Sequence, residues 1–404
     1  GATSHSTKPA SGQVAGYLPM GEGANVGYAS PRRLMVMAGG TGGHVYPALA
    51  VAQELRTRGW DIFWLGTRAG LEARVVPQQQ IEMVWVSMTG LRGNGVLRWL
   101  MLPHALVRAF WQAATAIRKR RPDVVLGMGG YTAFPGGLMA SLFNKPLVIH
   151  EQNAVAGLTN RLLACLADRV LVAFPQAFTR QDKPIPCGQR ATEWVGNPVR
   201  SDISACNPAP SPHSGRLRML VVGGSLVATA LNTLIPQALA LLPVEQRPEV
   251  THQSGTRHIE TLRANYAAAG VAADVRDYIE DMSAAYRHCD FAVCRAGAMT
   301  VAELACAGVP ALLVPYPSAV DDHQTANAEF LSNKGAAWLI QQKELNAEKL
   351  AQLIAGINRD TLAEMSAKAR ALAKPDATQQ VADICEGLVA QGSGIRNQGS
   401  GGGA

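Results

Sequence analysis

His44 stands directly after Gly39-Gly40-Thr41-Gly42-Gly43 and opens a helical apolar pattern of Val45, Ala48, Leu49, Ala52 and Leu55. Five apolar residues, Leu34 to Ala38, run into the glycines. A strand, a glycine turn and a helix start in that order offer free N–H groups at the positive end of a helix, a site for something anionic. His44 is the only group in this stretch that exchanges a proton near neutral pH. A helix N-terminus favours its neutral, basic ring.

A second constellation reads CRAGAMTVAEL, residues 294–304. Gly297 precedes a helix beginning near Ala298, and Glu303 lies one turn further in. An ionised carboxylate there accepts bonds from two vicinal ribose hydroxyls, or else only complements the helix dipole. The stretch YPSAVDDHQTANAEFL crowds Asp321, Asp322, His323, Gln324 and Asn327 together, which is either sugar-binding chemistry or a solvated helix start. No D-x-D pair is present to carry a divalent metal, so the charge of a diphosphate falls to helix ends and to basic residues such as Arg200.

The glycines invite a dinucleotide reading that fails on detail. Val45 occupies the third fingerprint position, the second strand ends in Leu65-Gly66-Thr67 without a carboxylate, and no G-K-[ST] exists.

The elements that must position these groups follow from periodicity. Apolar runs at Leu34–Ala38, Ile62–Leu65, Val124–Met128, Leu147–His150 and Arg169–Ala173 alternate with helical patterns, which predicts a parallel sheet between helices. Prolines with Ser and Gly mark a linker, and the pattern restarts with strands at Met219–Val222, Glu249–His252, Ala273–Arg276, Phe291–Cys294 and Ala311–Val314. The expected division is residues 31–195, a linker at 196–217, a second domain at 218–375 and a terminal helix at 376–391. Residues 1–30 and 392–404 read as polar Gly/Ser tails outside the fold.

At 404 residues, 48% hydrophobic and 17% charged, the composition is that of a soluble globular protein, and two domains are expected. A net charge of +7 suits an anionic substrate or an anionic membrane. The short basic run Arg118 to Arg121 has no interleaved aromatics, which argues against nucleic acid. Seven cysteines without a C-x-x-C pair are expected to be buried thiols. The stretch from Val96 to Arg121 is greasy but broken by Arg98, Pro103, His104 and Arg108. It is expected to lie on a membrane rather than cross it, or to form a buried helix pair.

The segments GGTGGHVYPALA, GLRG (90–93), GGY…PGG (129–137), HEQNAVAGLTNR (150–161), GNPVR (196–200), HQSG (252–255) and CRAGAMTVAE (294–303) occur in this order. Together they closely resemble the MurG family of bacterial N-acetylglucosaminyltransferases across residues 32 to about 390. The resemblance implies an α/β fold of GT-B type, two Rossmann-like doubly wound domains facing a cleft, with the C-terminal helix packing back on the first. It implies no cofactor and an inverting transfer of N-acetylglucosamine from UDP-GlcNAc to the muramoyl 4-hydroxyl of an undecaprenyl-pyrophosphoryl pentapeptide. The product is the lipid-linked precursor of peptidoglycan, made by a peripheral enzyme on the cytoplasmic face of the inner membrane.

Carried onto matching positions, Ile279 holds the uracil through its backbone and Glu303 the ribose. Ala298, Met299, Thr300, Val301 and Ala302 cradle the nucleotide. Ser225 and Arg200 approach the diphosphate or nucleotide, and Asn153 and Gln324 hold the sugar. Thr41, Gly42 and Gly43 line the acceptor side. There His44 either removes the proton of the attacking hydroxyl or only hydrogen-bonds the loop.

Two positions depart from the family pattern, Val227 where glycine is usual and Ser318 where histidine is usual. They keep open a donor-impaired relative that binds lipid or partners at the membrane. A different GT-B enzyme, such as a UDP-sugar epimerase, is the other competing reading.

Overall fold

The computed structural model describes residues 30–88, 96–179, 184–206, 213–223, 229–317, 319 and 322–398, with side chains for all of these except 96–102 and 392–398. Arg32–Ala404 make one compact unit. Ser225, Val227 and Ser318 lie outside the described residues.

The first half alternates β1 (Arg33–Met37), α1 (Gly42–Thr57), β2 (Asp61–Gly66), α2 (Glu72–Gln78), β3 (Glu82–Trp85), α3 (Val96–Arg120), β4 (Val124–Gly127), α4 (Ala133–Leu142), β5 (Leu147–Glu151), α5 (Leu158–Leu163), β6 (Arg169–Val172) and β7 (Glu193–Trp194). After a short α6 (Ser201–Ser204), the second half runs β8 (Arg218–Val222), α7 (Thr229–Ala240), β9 (Glu249–Gln253), α8 (Ile259–Ala269), β10 (Asp274–Arg276), α9 (Met282–His288), β11 (Phe291–Cys294), α10 (Ala298–Ala307), β12 (Ala311–Leu313), α11 (His323–Ser332) and β13 (Ala337–Leu339). Three helices close the chain: α12 (Ala347–Gly356), α13 (Arg359–Ala371) and α14 (Ala377–Gln398).

Every strand pair is parallel, in the orders β3-β2-β1-β4-β5-β6-β7 and β10-β9-β8-β11-β12-β13. Each sheet therefore reverses its winding between its first strand and the strand entered fourth, at β1/β4 and at β8/β11. Crevices for ligands open at such points, beyond the carboxyl ends of the strands. Central strands such as Leu34–Met37 are buried on both faces, which is why they appear in the sequence as unbroken apolar runs. The strands at β3, β7 and β13 carry no such run. They are two to four residues long and half-buried, so their apolar signal is weak.

Helix α14 returns to the first half. Val381, Ala382 and Cys385 join the apolar cluster of Ala48, Ala52, Leu55 and Trp60, while Arg58 pairs with Asp383 (2.6 Å) and Glu386 (3.0 Å). Helix α3 is one continuous helix rather than a pair. Ala109, Ala113, Ala116 and Ile117 form its buried stripe, and Phe110 packs edge-on against Phe134, so that Val107 and Trp111 remain outside.

One cysteine expectation is corrected. Cys165 and Cys187 form a disulfide, with Cα atoms 5.7 Å apart, while Cys206, Cys289, Cys294, Cys306 and Cys385 are free. The bond joins the end of α5 to a segment 22 residues later, a closure that spacing in the sequence does not announce.

The loops at the first crevice approach closely. Gly130 has φ +86°, and a Cβ there would lie 2.4 Å from the Gly39 carbonyl oxygen. Gly59 is equally left-handed, but a Cβ there meets nothing within 4 Å. Gly59→Ala is expected to cost about 1–2 kcal/mol of conformational strain. Gly130→Ala should cost clearly more, about 3 kcal/mol or above, because backbone must also move. Denaturant unfolding of the two variants side by side checks the difference.

Candidate functional site

Among the described residues, three helices are closed at their start by a side chain. Asp281 caps α9 by accepting from Ala284 N, Asn346 caps α12 through Lys349 N, and Asn358 caps α13 through Thr361 N. Helices α1 and α10 begin at Thr41 and Gly297, both extended, with no side-chain cap and no acidic residue in the first turn. Their leading N–H groups are thus left for a ligand at the positive end of the dipole. In α1, His44 N and Val45 N turn onto Thr41 O, which leaves Gly42 and Gly43 ahead of the ladder. In α10, Val301 N bonds Gly297 O, so the outward donors are Ala298, Met299 and Thr300.

The start of α1 is braced from behind by Glu72, which has no solvent exposure. Its carboxylate accepts from Gly40 N (3.1 Å), Thr67 N (3.0 Å) and the Thr67 hydroxyl (2.9 Å). In front, His44 Nδ1 lies 3.0 Å from Gln152 Oε1, and Gln152 Nε2 donates to Met128 O at 2.7 Å. His150, on the same face of β5 as Gln152, is fully buried and donates from Nε2 to Gly196 O. Burial pushes its ring down to about 4, so it is uncharged at neutral pH.

On the second half, Glu303 receives the Tyr286 hydroxyl at 2.8 Å. Burial raises its carboxyl to about 7, while the Tyr286 hydrogen bond and the nearby Arg200 charge pull the other way. Arg200 is bonded twice to Asp202 (3.1 and 2.8 Å), and its charge is felt by Glu303. Ile279 is buried, and its N–H donates to Gln253 Oε1 (2.9 Å), so a side-chain amide takes the bond expected of a base. Val301 points into the core, and Ala302 lines a small cavity with Ala173, Phe174 and Lys374. These two support the cradle without facing it.

Buried amides join the halves. Asn197 Nδ2 donates to Gln152 O (3.0 Å) and to Ala298 O (3.4 Å). Asn327 Oδ1 accepts from Ala154 N (2.7 Å), and its Nδ2 reaches Asn153 Oδ1 (3.2 Å) and Ala296 O (3.1 Å). Gln324 Oε1 is held by Ala296 N and Tyr316 N, so a bond from Gln324 to a sugar must come from its amide nitrogen. Glu151 shapes the loop that carries Asn153, accepting from Asn153 N, Gly157 N and Asn160 Nδ2.

The structure links His44, behind Thr41, Gly42 and Gly43, through Gln152 and Asn197 to Ala298. It links Asn153 through Asn327 to Ala296, whose N–H also holds Gln324; Glu303 and Ile279 belong to the second half. Glu72, Gln152, Asn197, Gln253, Tyr286 and Asn327 carry contacts that motif reading left without a role. Gln152, Asn197 and Gln253 stood inside quoted motifs. Glu72 carried no sequence signal; in the structure a Cβ on Gly39, Gly66 or Gly70 would each run into its side chain. Among the described residues no group of three or more His, Cys, Asp or Glu is arranged to hold a metal ion.

Residues 34–172 match the glycosyltransferase family 28 N-terminal domain, and residues 218–381 match the glycosyltransferase family 28 C-terminal domain. A Thiobacillus denitrificans protein named UDP-N-acetylglucosamine–N-acetylmuramyl-(pentapeptide) pyrophosphoryl-undecaprenol N-acetylglucosamine transferase is 71% identical over 362 residues, covering 89% of this chain and 99% of its own length. The protein of the same name from Cupriavidus metallidurans is 57% identical over 361 residues, covering 88% and 98%. The crystal structure of Acinetobacter baumannii MurG aligns with a TM-score of 0.78 at 43% identity, over 88% of this chain and 99% of that one. A strand-ordered GT-B pair of sheets, two uncapped helix starts and these relatives lead to one conclusion: the chain belongs to glycosyltransferase family 28, among its MurG members.

Proposed function

We propose that the protein transfers N-acetylglucosamine from UDP-GlcNAc to the muramoyl 4-hydroxyl of undecaprenyl-pyrophosphoryl-MurNAc-pentapeptide, with inversion. The names of its relatives support the substrates. The observation that carries the site reading is the pair of uncapped helix starts, α1 with His44 and α10 with Glu303, linked through Gln152 and Asn197.

The acceptor oxygen forms a bond to the anomeric carbon while the bond from that carbon to the UDP β-phosphate oxygen breaks. His44 takes the hydroxyl proton. UDP leaves as an anion, and its growing charge is met by the N–H groups of Ala298, Met299 and Thr300, which are oriented before reaction. Glu303 accepts from the ribose hydroxyls, Ile279 faces the uracil, and Asn153 and Gln324 contact the sugar. Thr41, Gly42 and Gly43 face the acceptor pyrophosphate.

We assign the lipid-facing surface to the first half. No helix of the described residues is long and apolar enough to cross a membrane. Val107 and Trp111, 67% and 68% exposed, share one face of α3, with Leu142 and Leu158 exposed on the adjoining α4 and α5 and with Arg108, Arg118 and Lys119 around them. Apolar side chains ringed by cations fit an anionic bilayer, here the cytoplasmic face of the inner membrane. Arg120 is less available, because it pairs with Glu82.

Three outcomes test this reading. His44→Ala should lower kcat by about 100-fold or more while the Kd for UDP-GlcNAc stays put; a loss confined to acceptor KM would reduce His44 to positioning. Glu303 must be ionised to accept two hydroxyls, and burial pushes its carboxyl up to about 7. Lowering the pH from 8 to 6 should therefore weaken UDP-GlcNAc by about tenfold, with about half a proton released per binding event at pH 7. The donor diphosphate diester does not titrate in this range. Glu303→Gln should abolish that pH dependence and weaken the donor by about tenfold at pH 8, and a pH-independent wild type would remove Glu303 from the ribose. The double variant Val107→Glu, Trp111→Glu should lose sedimentation with phosphatidylglycerol vesicles at low salt, and wild-type protein that never sediments would exclude this face.

A further inference from the structure

Nothing so far says which nitrogen of His44 takes the proton. We propose that Gln152 is a positioning residue that locks His44 in the Nδ1–H tautomer, so that Nε2 is the basic atom of the transferase. The proposal rests on the reading of His44 as the base.

The argument starts from the amide. Gln152 is 1% exposed, and both ends of its side chain are engaged, at 2.7 Å with Met128 O and at 3.0 Å with His44 Nδ1. Met128 O can only accept, so the group facing it must be the amide NH2. Turning the amide over would set two oxygens against each other in a buried place, an orientation too costly to persist. Oε1 therefore faces His44, and an oxygen lone pair requires a hydrogen on Nδ1. The ring nitrogen left without a hydrogen is Nε2.

The lock is built from other elements. Asn197 fixes the Gln152 backbone by donating to its carbonyl oxygen at 3.0 Å. Gly129 leaves room for the bond: with φ +96°, a Cβ there would lie 2.6 Å from His44 Nδ1 and 3.2 Å from Gln152 Oε1. His150 is neutral at working pH, so no second imidazolium competes beside the ring. Glu72 is turned to Gly40 and Thr67, and Glu151 to Asn153, Gly157 and Asn160. The partner of His44 is thus an uncharged amide. A carboxylate there would hold the imidazolium and slow release of the proton; an amide orients the ring and holds the cation less strongly.

The test reads the tautomer directly. In uniformly 15N-histidine-labelled protein near pH 8, the His44 signals, identified by their loss in His44→Ala, should show a protonated Nδ1 and a bare Nε2. Gln152→Met keeps the length and removes both polar ends. It should move the ring toward the Nε2–H form that histidine prefers in water and lower kcat by about ten- to a hundredfold, with the Kd for UDP-GlcNAc unchanged. An Nε2–H ring in the wild type overturns the proposal, and so does Gln152→Met with unchanged kcat. Should Gln152→Met fail to fold, the wild-type spectrum still decides. The two readings fail separately, since undiminished kcat in His44→Ala would overturn the base and leave the ring assignment intact.

Discussion

A primary amide buried away from water is held wherever its oxygen or nitrogen finds a partner, and the core of this site is three such amides. Gln152 and Asn327 are bonded at both ends, and Asn197 at its nitrogen alone. Gln152, Asn197 and Asn327 are at most 3% exposed. Leaving a buried donor or acceptor unmet costs about 1–3 kcal/mol, so each amide dictates where its neighbours stand. Asn327 ties the loop carrying Asn153 and Ala154 to Ala296, and Asn197 ties Gln152 to Ala298. The loops that close the two sheets are held to one another by these bonds, and with them the spacing between the two helix starts.

Amides suit this place better than charges would. A buried ion pair between the halves would carry a desolvation penalty that only near-ideal geometry offsets. An amide crosses a boundary between two bodies at low electrostatic cost and can exchange partners. Gln253 gives an instance within the second half: its oxygen accepts from Ile279 N–H and must yield if a base is to bond there.

The two carboxylates of the site are kept in opposite circumstances. Glu72 is surrounded by donors and serves as a fixed brace under the first glycine turn. Glu303 accepts from the Tyr286 hydroxyl, and burial raises its pKa. A carboxyl kept near its titration point gains acceptor strength when hydroxyls arrive, which couples donor binding to proton release. Helices α1 and α10 begin without capping side chains, unlike α9, α12 and α13, so their leading N–H groups remain open to a ligand.

The sequence by itself determined the architecture and the location of the chemistry. Strands buried on both faces must be apolar throughout, so β1, β4, β8 and β11 were legible as runs, and glycine turns entering helices marked where anions bind. His44, Glu303 and Gln324 were legible because few residue types do their chemistry. Tertiary structure alone decided how these groups are held. Strands β3, β7 and β13 lack a local signal because they are short and half-buried. The Cys165–Cys187 bond and the Glu72 brace join segments whose approach is set by the whole sheet. The roles of Gln152, Asn197 and Asn327 depend on which backbone oxygen happens to lie within 3.4 Å, and an amide reads alike in sequence whether it faces water or a histidine.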